Sequence, residues 1–321
     1  MKKLLGSLLA LIFTASAMAH GVEMRLGVIH EPSNPWTIGL IKAGDMIKER
    51  TSGRVVITVY PSSVLGTEND LLEQVVTGGV ELMQSGSGGV ANFYPAFHIN
   101  EMPYVFRDAD HAVKFMKSPK SKEMRDDFYQ ETGARIIAQG IFGVRHIIGN
   151  KLIYTPEDLK NFRLRVPDQK PAVQYAIYMG ANPTPIAISE AYMALQQNVC
   201  DGMENPLTPI ANMKVQEVSR NLSLTAHVIN IGNVLMNGDT LDSLSPEDQQ
   251  IVIDSFQEAC DWITDTIAES DRELLEVFKS QGVTVIEPDR DAFKEKTKGM
   301  AVEYSHTWEK FGDLYQYIKD L

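Results

Sequence analysis

Cysteine is nearly absent from this chain, which carries only Cys200 and Cys260 among its 321 residues. Neither belongs to a C-x-x-C pair, and the seven histidines show no spacing typical of metal ligands. These absences argue against a disulfide-rich scaffold and a zinc site. We expect two buried thiols, with a disulfide between them as the alternative in an oxidising compartment. Neither a metal nor a cofactor is expected.

Positive charge is also scarce. The chain has 30 lysines and arginines against 42 aspartates and glutamates, a formal net charge of −12. Such a chain repels nucleic acid and anionic membranes at long range, so neither is an expected partner. It repels an anionic ligand in the same way, and any anion site must therefore concentrate cations locally. Arginines within apolar segments are the first candidates for such a site.

Long apolar runs are absent after the N-terminus. The first residues, MKKLLGSLLALIFTASAMAH, combine two lysines, a short apolar stretch and an A-x-A cleavage pattern. This combination predicts a signal peptide over residues 1–19, cleaved near Ala19, and an exported periplasmic protein. A buried N-terminal helix is the alternative. No later stretch approaches the ~18 apolar residues that a membrane span requires, so we expect no direct membrane insertion.

Motifs of common enzymes are missing as well. The chain contains no G-x-S-x-G, no H-E-x-x-H and no P-loop. The run Gly86-Ser87-Gly88-Gly89 lacks the G-K-[ST] of a phosphate loop, and we expect it to bring the backbone close to the opposite wall of a cleft. We predict that the protein is not an enzyme. A secreted lyase or hydrolase acting on acidic sugars is the one enzyme class kept as a remote alternative.

What the sequence does contain is an alternation of strands and helices. Strands are predicted at residues 24–29, 54–60 and 80–85, with helices at 36–50 and 68–76. This order is typical of a doubly wound α/β sheet, in which ligands bind at the carboxyl ends of the strands. The loops at those ends are residues 30–34, 64–68 and 85–89. The pattern repeats from residue 155, which predicts a second α/β domain.

One predicted helix is longer than a single domain is wide. Ser245 caps a segment that has no glycine or proline between Pro246 and Gly282, and its apolar residues recur at helical spacing. At ~1.5 Å per residue this helix spans roughly 50 Å, so we expect it to lie across both domains as a strut. A hinge between the domains is expected at Gly140 and Gly143.

Two arginines lie in segments that are predicted to be strands. Arg145 belongs to VRHII and Arg165 to RLRVP. A guanidinium keeps its charge, and burying that charge without a partner is costly. Each arginine therefore requires an anion, which is either a carboxylate of the protein or a ligand. A guanidinium matches a carboxylate with two parallel hydrogen bonds, so a carboxylate ligand is the more specific hypothesis.

Three segments resemble a known family. VYPSSVLG, RLRVPDQ and NPTPIAISEAYMALQQNVCDGMENP are similar to the solute-binding proteins of tripartite ATP-independent periplasmic (TRAP) transporters, the DctP type. The resemblance covers nearly the whole chain after the signal peptide. It implies an α/β, two-lobed periplasmic binding protein fold with a long helix spanning both lobes. It also implies delivery of the ligand to TRAP membrane permease subunits that use an ion gradient.

The resemblance assigns roles to individual residues. Arg165 of the LRVP motif would form a salt bridge with the ligand carboxylate, assisted by Arg145 and by Asn205 of the ENP segment. For Arg145, a structural ion pair is the alternative. Ile188 stands where sialic-acid-binding relatives carry an aromatic ring, and this departure disfavours sialic acid as the ligand.

The loops of the first domain supply three more candidates. His30 and Asn34 follow the first strand, and Glu68 begins a helix, where capping is its alternative role. A carboxylate such as Glu68 accepts hydrogen bonds from hydroxyls and repels a second anionic group. The favoured ligand is therefore a small organic acid with hydroxyls, a uronate or an aldonate. A C4-dicarboxylate and an aromatic or branched keto acid are the alternatives.

The predicted division of the chain has two lobes. Lobe I comprises residues 20–142 and 231–270, and lobe II comprises residues 143–230 and 271–321.

Overall fold

The computed structural model describes residues 21–321, so the predicted signal peptide and its cleavage site lie outside the described residues. Within this range, two β-sheets flanked by helices form two α/β lobes, which confirms the predicted fold class. None of the helices of residues 21–321 has the length and apolar character that crossing a membrane requires.

The strands of the described residues are β1 (Val22–Gly27), β2 (Val55–Tyr60), β3 (Leu82–Gly86), β4 (Ala134–Val144), β5 (His146–Gly149), β6 (Arg163–Val166), β7 (Asn182–Pro185), β8 (Gly202–Asn205), β9 (Asn221–Ser223), β10 (Ile229–Asn237) and β11 (Thr284–Ile286). The first lobe contains a five-stranded sheet in the order β2-β1-β3-β10-β4, and the second a six-stranded sheet in the order β11-β9-β5-β8-β6-β7. Both sheets are mixed. In the first, β1 pairs in parallel with β2 and β3, and β10 runs antiparallel to β3 and β4.

The α-helices are α1 (Pro35–Arg50), α2 (Glu68–Thr77), α3 (Ser87–Phe93), α4 (Ala109–Met116), α5 (Pro119–Thr132), α6 (Lys170–Met179), α7 (Ile188–Gln196), α8 (Leu207–Asn212), α9 (Gly238–Asp242), α10 (Pro246–Ser280), α11 (Arg290–Glu303) and α12 (Leu314–Lys319). They cover the sheets, so strands such as β10 are buried along their whole length. Such burial explains why these strands have apolar side chains on both faces.

Four segments connect the lobes, and the last of them follows α11. Strand β4 passes into β5 with only Arg145 between them, and residues 224–228 join β9 to β10. The third is α10, which packs on α1 and β4 of the first lobe and on α8 and β11 of the second. The side chain of Ser245, the residue before α10, caps the first turn by accepting a hydrogen bond of 3.1 Å from the amide of Asp248. The predicted strut helix is therefore confirmed.

Gly140 and Gly143, where the sequence predicts a hinge, do not lie at the crossing between the lobes. Strand β4 runs unbroken through Gly140 and Gly143, and the crossing between lobes comes after both, at Arg145. A Cβ atom on Gly140 would lie 2.8 Å from the carbonyl oxygen of Cys260, so this glycine permits close packing against α10. Gly143 has φ +134°, and the register opposite β10 shifts there so that Phe142 forms a bulge.

The C-terminal segment also departs from the predicted division. We expected residues 271–321 in lobe II, but residues 304–321 return to the first lobe. The Ile318 carbonyl oxygen lies 2.7 Å from Nε2 of His111, and Lys319 Nζ donates to the carbonyl oxygen of Tyr104 at 2.8 Å. Leu314 and Ile318 are fully buried in this contact, so the apolar side of α12 explains the return.

Two smaller predictions are confirmed. Cys200 and Cys260 are both free and buried. The glycine-rich run ends β3 and begins α3, and it does bring the backbone against the other lobe. A Cβ atom on Gly88 would lie only 2.1 Å from Oε1 of Gln169, a second-lobe residue.

Candidate functional site

A cavity of about 40 Å³ lies between the lobes. Its walls come from the ends of strands in both sheets, where the side chains of the two lobes meet. The first lobe supplies Ile29, His30, Glu68, Gln84, Gly86, Phe142 and Asn230, and the second supplies Arg145, Arg165, Pro167, Gln169, Ile188 and Asn205. Six of the seven predicted site residues are thus brought together, and Asn34 is the exception.

Asn34 has a structural role instead. Its side chain caps α1, accepting a hydrogen bond of 2.9 Å from the amide of Trp36. The residue is 1% exposed and does not line the cavity. The loop that carries His30 into the cavity therefore turns Asn34 away, because the first amides of α1 require an acceptor.

Arg165, on β6, is a buried cation without a carboxylate. Only 1% of the residue is exposed. Its Nε and Nη2 atoms donate to the carbonyl oxygen of Ile186, at 2.9 and 2.6 Å. Within residues 21–321, no carboxylate oxygen lies within 4.0 Å of it. Burial lowers the pKa of Arg165 to about 10, with Glu204 opposing and Arg145 reinforcing the shift. The guanidinium is still charged at neutral pH.

Arg145 has a partner of its own. Its Nη2 atom donates to Oε1 of Glu204 at 2.7 Å, and its Nε atom contacts the other carboxylate oxygen. Glu204 is fully buried at the middle of β8. Burial alone raises the pKa of Glu204, but Arg145, together with His227, overcomes this and holds the pKa at about 2. The structural ion pair, the alternative considered for Arg145, is therefore present, although the side chain also lines the cavity.

His30 adds an uncharged ring beside the two arginines. Burial lowers the pKa of His30 to about 3, and the charges of Arg145 and Arg165 add to the shift. The imidazole is therefore neutral at neutral pH and can donate or accept a hydrogen bond. Its ring lies 4.8 Å from that of Phe142, the bulged residue of β4. The bulge thus positions an aromatic wall next to the cationic end of the cavity.

Glu68 lies on the first-lobe wall and reaches the second lobe. Its Oε1 atom accepts hydrogen bonds from Ser85 Oγ at 2.8 Å and from the amide of Gly86 at 3.0 Å. Its Oε2 atom accepts one of 2.7 Å from Nε2 of Gln169. Helix α2 is capped by the neighbouring Thr67, so Glu68 is not its capping residue. The carboxylate instead bridges the two walls of the cavity.

Three amide side chains in the cavity were not predicted. Gln84 is 1% exposed, and its Oε1 atom has no hydrogen-bond partner among the described residues. Asn230 donates to Oε1 of Glu101 at 2.9 Å, and burial raises the pKa of Glu101 to about 7. Gln169 is the last residue of the segment RLRVPDQ, two positions after the LRVP motif. The sequence signal for Gln84 and Asn230 is a polar residue inside an apolar strand.

The remaining two predicted residues sit on the second-lobe wall. Asn205 ends β8, opposite His146 of β5, and is 3% exposed. Ile188 is the first residue of α7. Both line the cavity close to Arg165 in the second lobe. No group of three or more metal-ligating side chains occurs anywhere in residues 21–321.

The two lobes are in contact beside the cavity. Nδ2 of Asn69 donates to Oδ2 of Asp168 at 3.2 Å, and the amide of Lys170 donates to Oδ1 of Asn92 at 2.9 Å. With the Glu68–Gln169 bond, these contacts join α2 and α3 to the start of α6. The lobes are therefore held together by hydrogen bonds beside the cavity.

Comparison with known proteins agrees with this architecture. The DctP model, described as "Bacterial extracellular solute-binding protein, family 7", matches residues 26–307. The sialic acid-binding periplasmic protein SiaP of Vibrio cholerae is 34% identical over 260 residues, covering 81% of each chain. The 2,3-diketo-L-gulonate-binding periplasmic protein YiaO of Escherichia coli is 29% identical over 285 residues, covering 88% of this chain and 86% of that protein.

Solved structures give the same result. A TRAP periplasmic solute-binding protein from Sulfitobacter sp. NAS-14.1 with bound β-D-galacturonate superposes with a TM-score of 0.89 at 26% identity, covering 94% of this chain and 100% of that one. Another, from Actinobacillus succinogenes with bound L-galactonate, gives 0.84 at 29% identity, covering 90% and 99%.

Proposed function

Because this chain belongs to the DctP family of bacterial extracellular solute-binding proteins, family 7, we propose that it binds a sugar acid and delivers it to a TRAP membrane permease. Proteins of this family are transport components and not enzymes. The proposed ligand is a uronate or an aldonate, held by its carboxylate between the two lobes. The proposed location is the periplasm, after cleavage of the signal peptide near Ala19.

The observation that carries this proposal is the state of Arg165. It is buried and charged, and no protein carboxylate compensates it within residues 21–321. A ligand carboxylate at this position would supply the missing anion and form charge-assisted hydrogen bonds. Asn205 lies on the same wall and can donate through its amide. Arg145 would add positive potential at the site while remaining bound to Glu204.

The opposite wall favours hydroxyls over a second carboxylate. Glu68 on this wall is a carboxylate, and the buried Oε1 atom of Gln84 is an acceptor without a donor among the described residues. Hydroxyls of a sugar acid could donate to these acceptors, whereas a second carboxylate would be repelled. Glu204 already compensates Arg145, so Arg165 is the one arginine of this cavity's described lining that remains for a ligand carboxylate. The bound galacturonate and galactonate of the neighbouring structures belong to the same class of compound.

Ligand entry requires the lobes to separate. A volume of about 10–15 Å³ admits one water molecule, so the 40 Å³ cavity has room for a few waters but not for a six-carbon acid. We propose that the hinge is formed by Arg145 and residues 224–228, where the chain crosses between sheets. Small-angle scattering should give a smaller radius of gyration with ligand than without. An equal radius in the two states would argue against closure upon binding.

Calorimetric titration in one buffer tests the ligand. We expect D-galacturonate, D-glucuronate or gluconate to bind, and succinate, malate and indole acetate to bind much more weakly. A thermal-shift screen gives an independent measure, since a ligand that binds only the native state raises its apparent stability. Micromolar binding of succinate or malate, with no binding of any sugar acid, would overturn the proposed ligand class.

A further inference from the structure

A second and larger cavity, of about 960 Å³, lies behind the connections between the lobes. We call the 40 Å³ cavity that Arg165 lines the ligand cavity. Arg145 lines the ligand cavity, whereas its neighbours Val144 and His146 line the larger one. The same division holds on β10, where Asn230 lines the ligand cavity and Ile229 the larger one. Successive side chains of a strand point to opposite faces. The two cavities therefore lie on opposite faces of the strands that connect the lobes, and we call the larger one the hinge cavity.

The walls of the hinge cavity belong to both lobes. Tyr104 and Phe106 come from the first lobe, Leu207 and Arg290 from the second, and Leu224 from the connection between them. A rotation about the connecting strands that opens the ligand cavity must bring the walls of the hinge cavity together, because the two cavities lie on opposite sides of the rotation axis. The hinge cavity is thus widest when the ligand cavity is closed.

The hinge cavity has an apolar floor and a cationic rim. Side chains that include Phe106, Leu207, Leu224, Ile229 and Leu275 form the apolar part. Six cationic residues line the cavity, of which Arg290, Lys294 and Lys298 each pair with a neighbouring carboxylate. This combination suits a molecule with an apolar body and a charged end.

The other three cations are not paired with carboxylates within residues 21–321. Arg107, Arg272 and Lys319 donate instead to carbonyl oxygens, at 3.2, 3.2 and 2.8 Å. Burial lowers the pKa of Lys319, and the charges of Arg107 and Lys294 lower it further. These cations repel one another, so an anion among them would be stabilised.

One acidic side chain in the hinge cavity also lacks a partner. Oδ1 of Asp271, on α10, is buried and has no hydrogen bond within the described residues. Burial raises the pKa of Asp271 to about 7, so its carboxyl group is partly protonated near neutral pH and can donate a hydrogen bond to an anion. The second acid without a cation, Asp108, caps α4 through the amide of His111.

We propose that the hinge cavity is an effector site for a small amphiphilic organic anion, whose binding holds the lobes closed and so strengthens capture of the transported ligand. The coupling to capture rests on the proposed function; the anion site itself does not. By linkage, each of the two ligands must raise the affinity of the other by the same factor.

The fluorescent anion 8-anilinonaphthalene-1-sulfonate, an aromatic body with one sulfonate, is the probe. We expect saturable binding to the folded protein, with an affinity that rises about fivefold in saturating D-galacturonate. Arg272→Met and Lys319→Met should each weaken probe binding about tenfold, because a charge-assisted contact is lost. Lys160→Met, which removes an exposed lysine outside the cavity, is the matched control and should change nothing.

Arg165→Met separates the two sites. This variant should bind the probe with unchanged affinity and lose the response to galacturonate. Three results would overturn the effector site. The probe binds without saturation, or it binds the two cavity variants and the control with equal affinity, or galacturonate weakens its affinity or leaves it unchanged. If galacturonate itself fails to bind, the proposed ligand is wrong. In that case the hinge site is tested with the probe alone. A smaller radius of gyration for the wild type, but not for Lys319→Met, would support the site, and no change in the wild type would overturn it.

Discussion

Arg145 and Arg165 line one cavity and are both buried, at 6% and 1% exposure, yet their charges are in opposite situations. Glu204 binds Arg145 and raises its pKa although burial acts against this. Among residues 21–321, Arg165 donates hydrogen bonds only to a carbonyl oxygen, and burial lowers its pKa to about 10. A buried cation that the protein compensates belongs to the framework. A buried cation that the protein leaves without a carboxylate carries an energetic cost, and we propose that a ligand carboxylate offsets this cost at Arg165.

Removing the compensating carboxylate should have the largest effect. Glu204→Gln leaves Arg145 with an uncompensated buried charge, and we expect a loss of about 3–5 kcal/mol in the free energy of unfolding. Urea denaturation followed by circular dichroism measures it. Arg165→Met is the matched comparison, because it removes a buried charge that has no protein partner, and it should leave the stability equal or higher. If Glu204→Gln unfolds at the same urea concentration as the wild type, the ion pair between Glu204 and Arg145 does not contribute to the stability of the fold.

Ligand affinity should depend on the other arginine. We expect Arg165→Met to weaken sugar acid binding by about 2–5 kcal/mol, because the ligand carboxylate would be desolvated without its partner. Arg165→Lys should restore only part of it, since an ammonium cannot form two parallel hydrogen bonds with one carboxylate. Calorimetry gives both values. The control is Arg163→Met on the same strand, which removes an exposed arginine paired with Asp201. Unchanged affinity in Arg165→Met would exclude this residue from the site.

Acid should remove the contribution of the Glu204 pair. Arg145, together with His227, holds the pKa of Glu204 at about 2, below its ordinary 4.5. A lowered carboxylate pKa stabilises the fold above about pH 4.5, and this stabilisation is lost as the pH falls towards 2. The stability gap between the wild type and Glu204→Gln should therefore narrow by about 3 kcal/mol between pH 5 and pH 2.

The wild type and Glu204→Gln must be compared at each pH, because other groups also titrate between pH 6 and pH 2. His30 and His146 are buried and neutral, and burial lowers the pKa of each to about 3. Protonating them destabilises the fold of both proteins as the pH falls below 6.5, so the effect cancels in the difference. A gap that stays constant from pH 6 to pH 3 would show that Glu204 does not stabilise the fold through its charge.

The sequence predicted the architecture better than the details of the site. Alternating strands and helices, and a cap at Ser245 followed by a long uninterrupted helix, were local signals, and the structure confirms both. Whether an arginine has a protein partner depends on β5 and β8 lying side by side, which no local pattern indicates. The return of α12 to the first lobe and the capping role of Asn34 are likewise consequences of tertiary contacts.

The smallest effect concerns Gln84 on the first-lobe wall of the cavity. Like Arg165 on the second-lobe wall, it is a buried polar side chain, but it carries no charge. Its buried Oε1 atom has no partner among the described residues, so a ligand hydroxyl that donates to it would remove an unsatisfied acceptor. Gln84→Met keeps the shape and removes the acceptor, and we expect a loss of about 1 kcal/mol in galacturonate affinity. Glycerate, which has a carboxylate but no hydroxyls beyond its third carbon, should bind the variant and the wild type equally. In a double-mutant cycle with Arg165→Lys the two losses should add, because the residues would contact opposite ends of one ligand. Equal losses for galacturonate and glycerate would mean that Gln84 supports the cavity wall and does not recognise the distal hydroxyls.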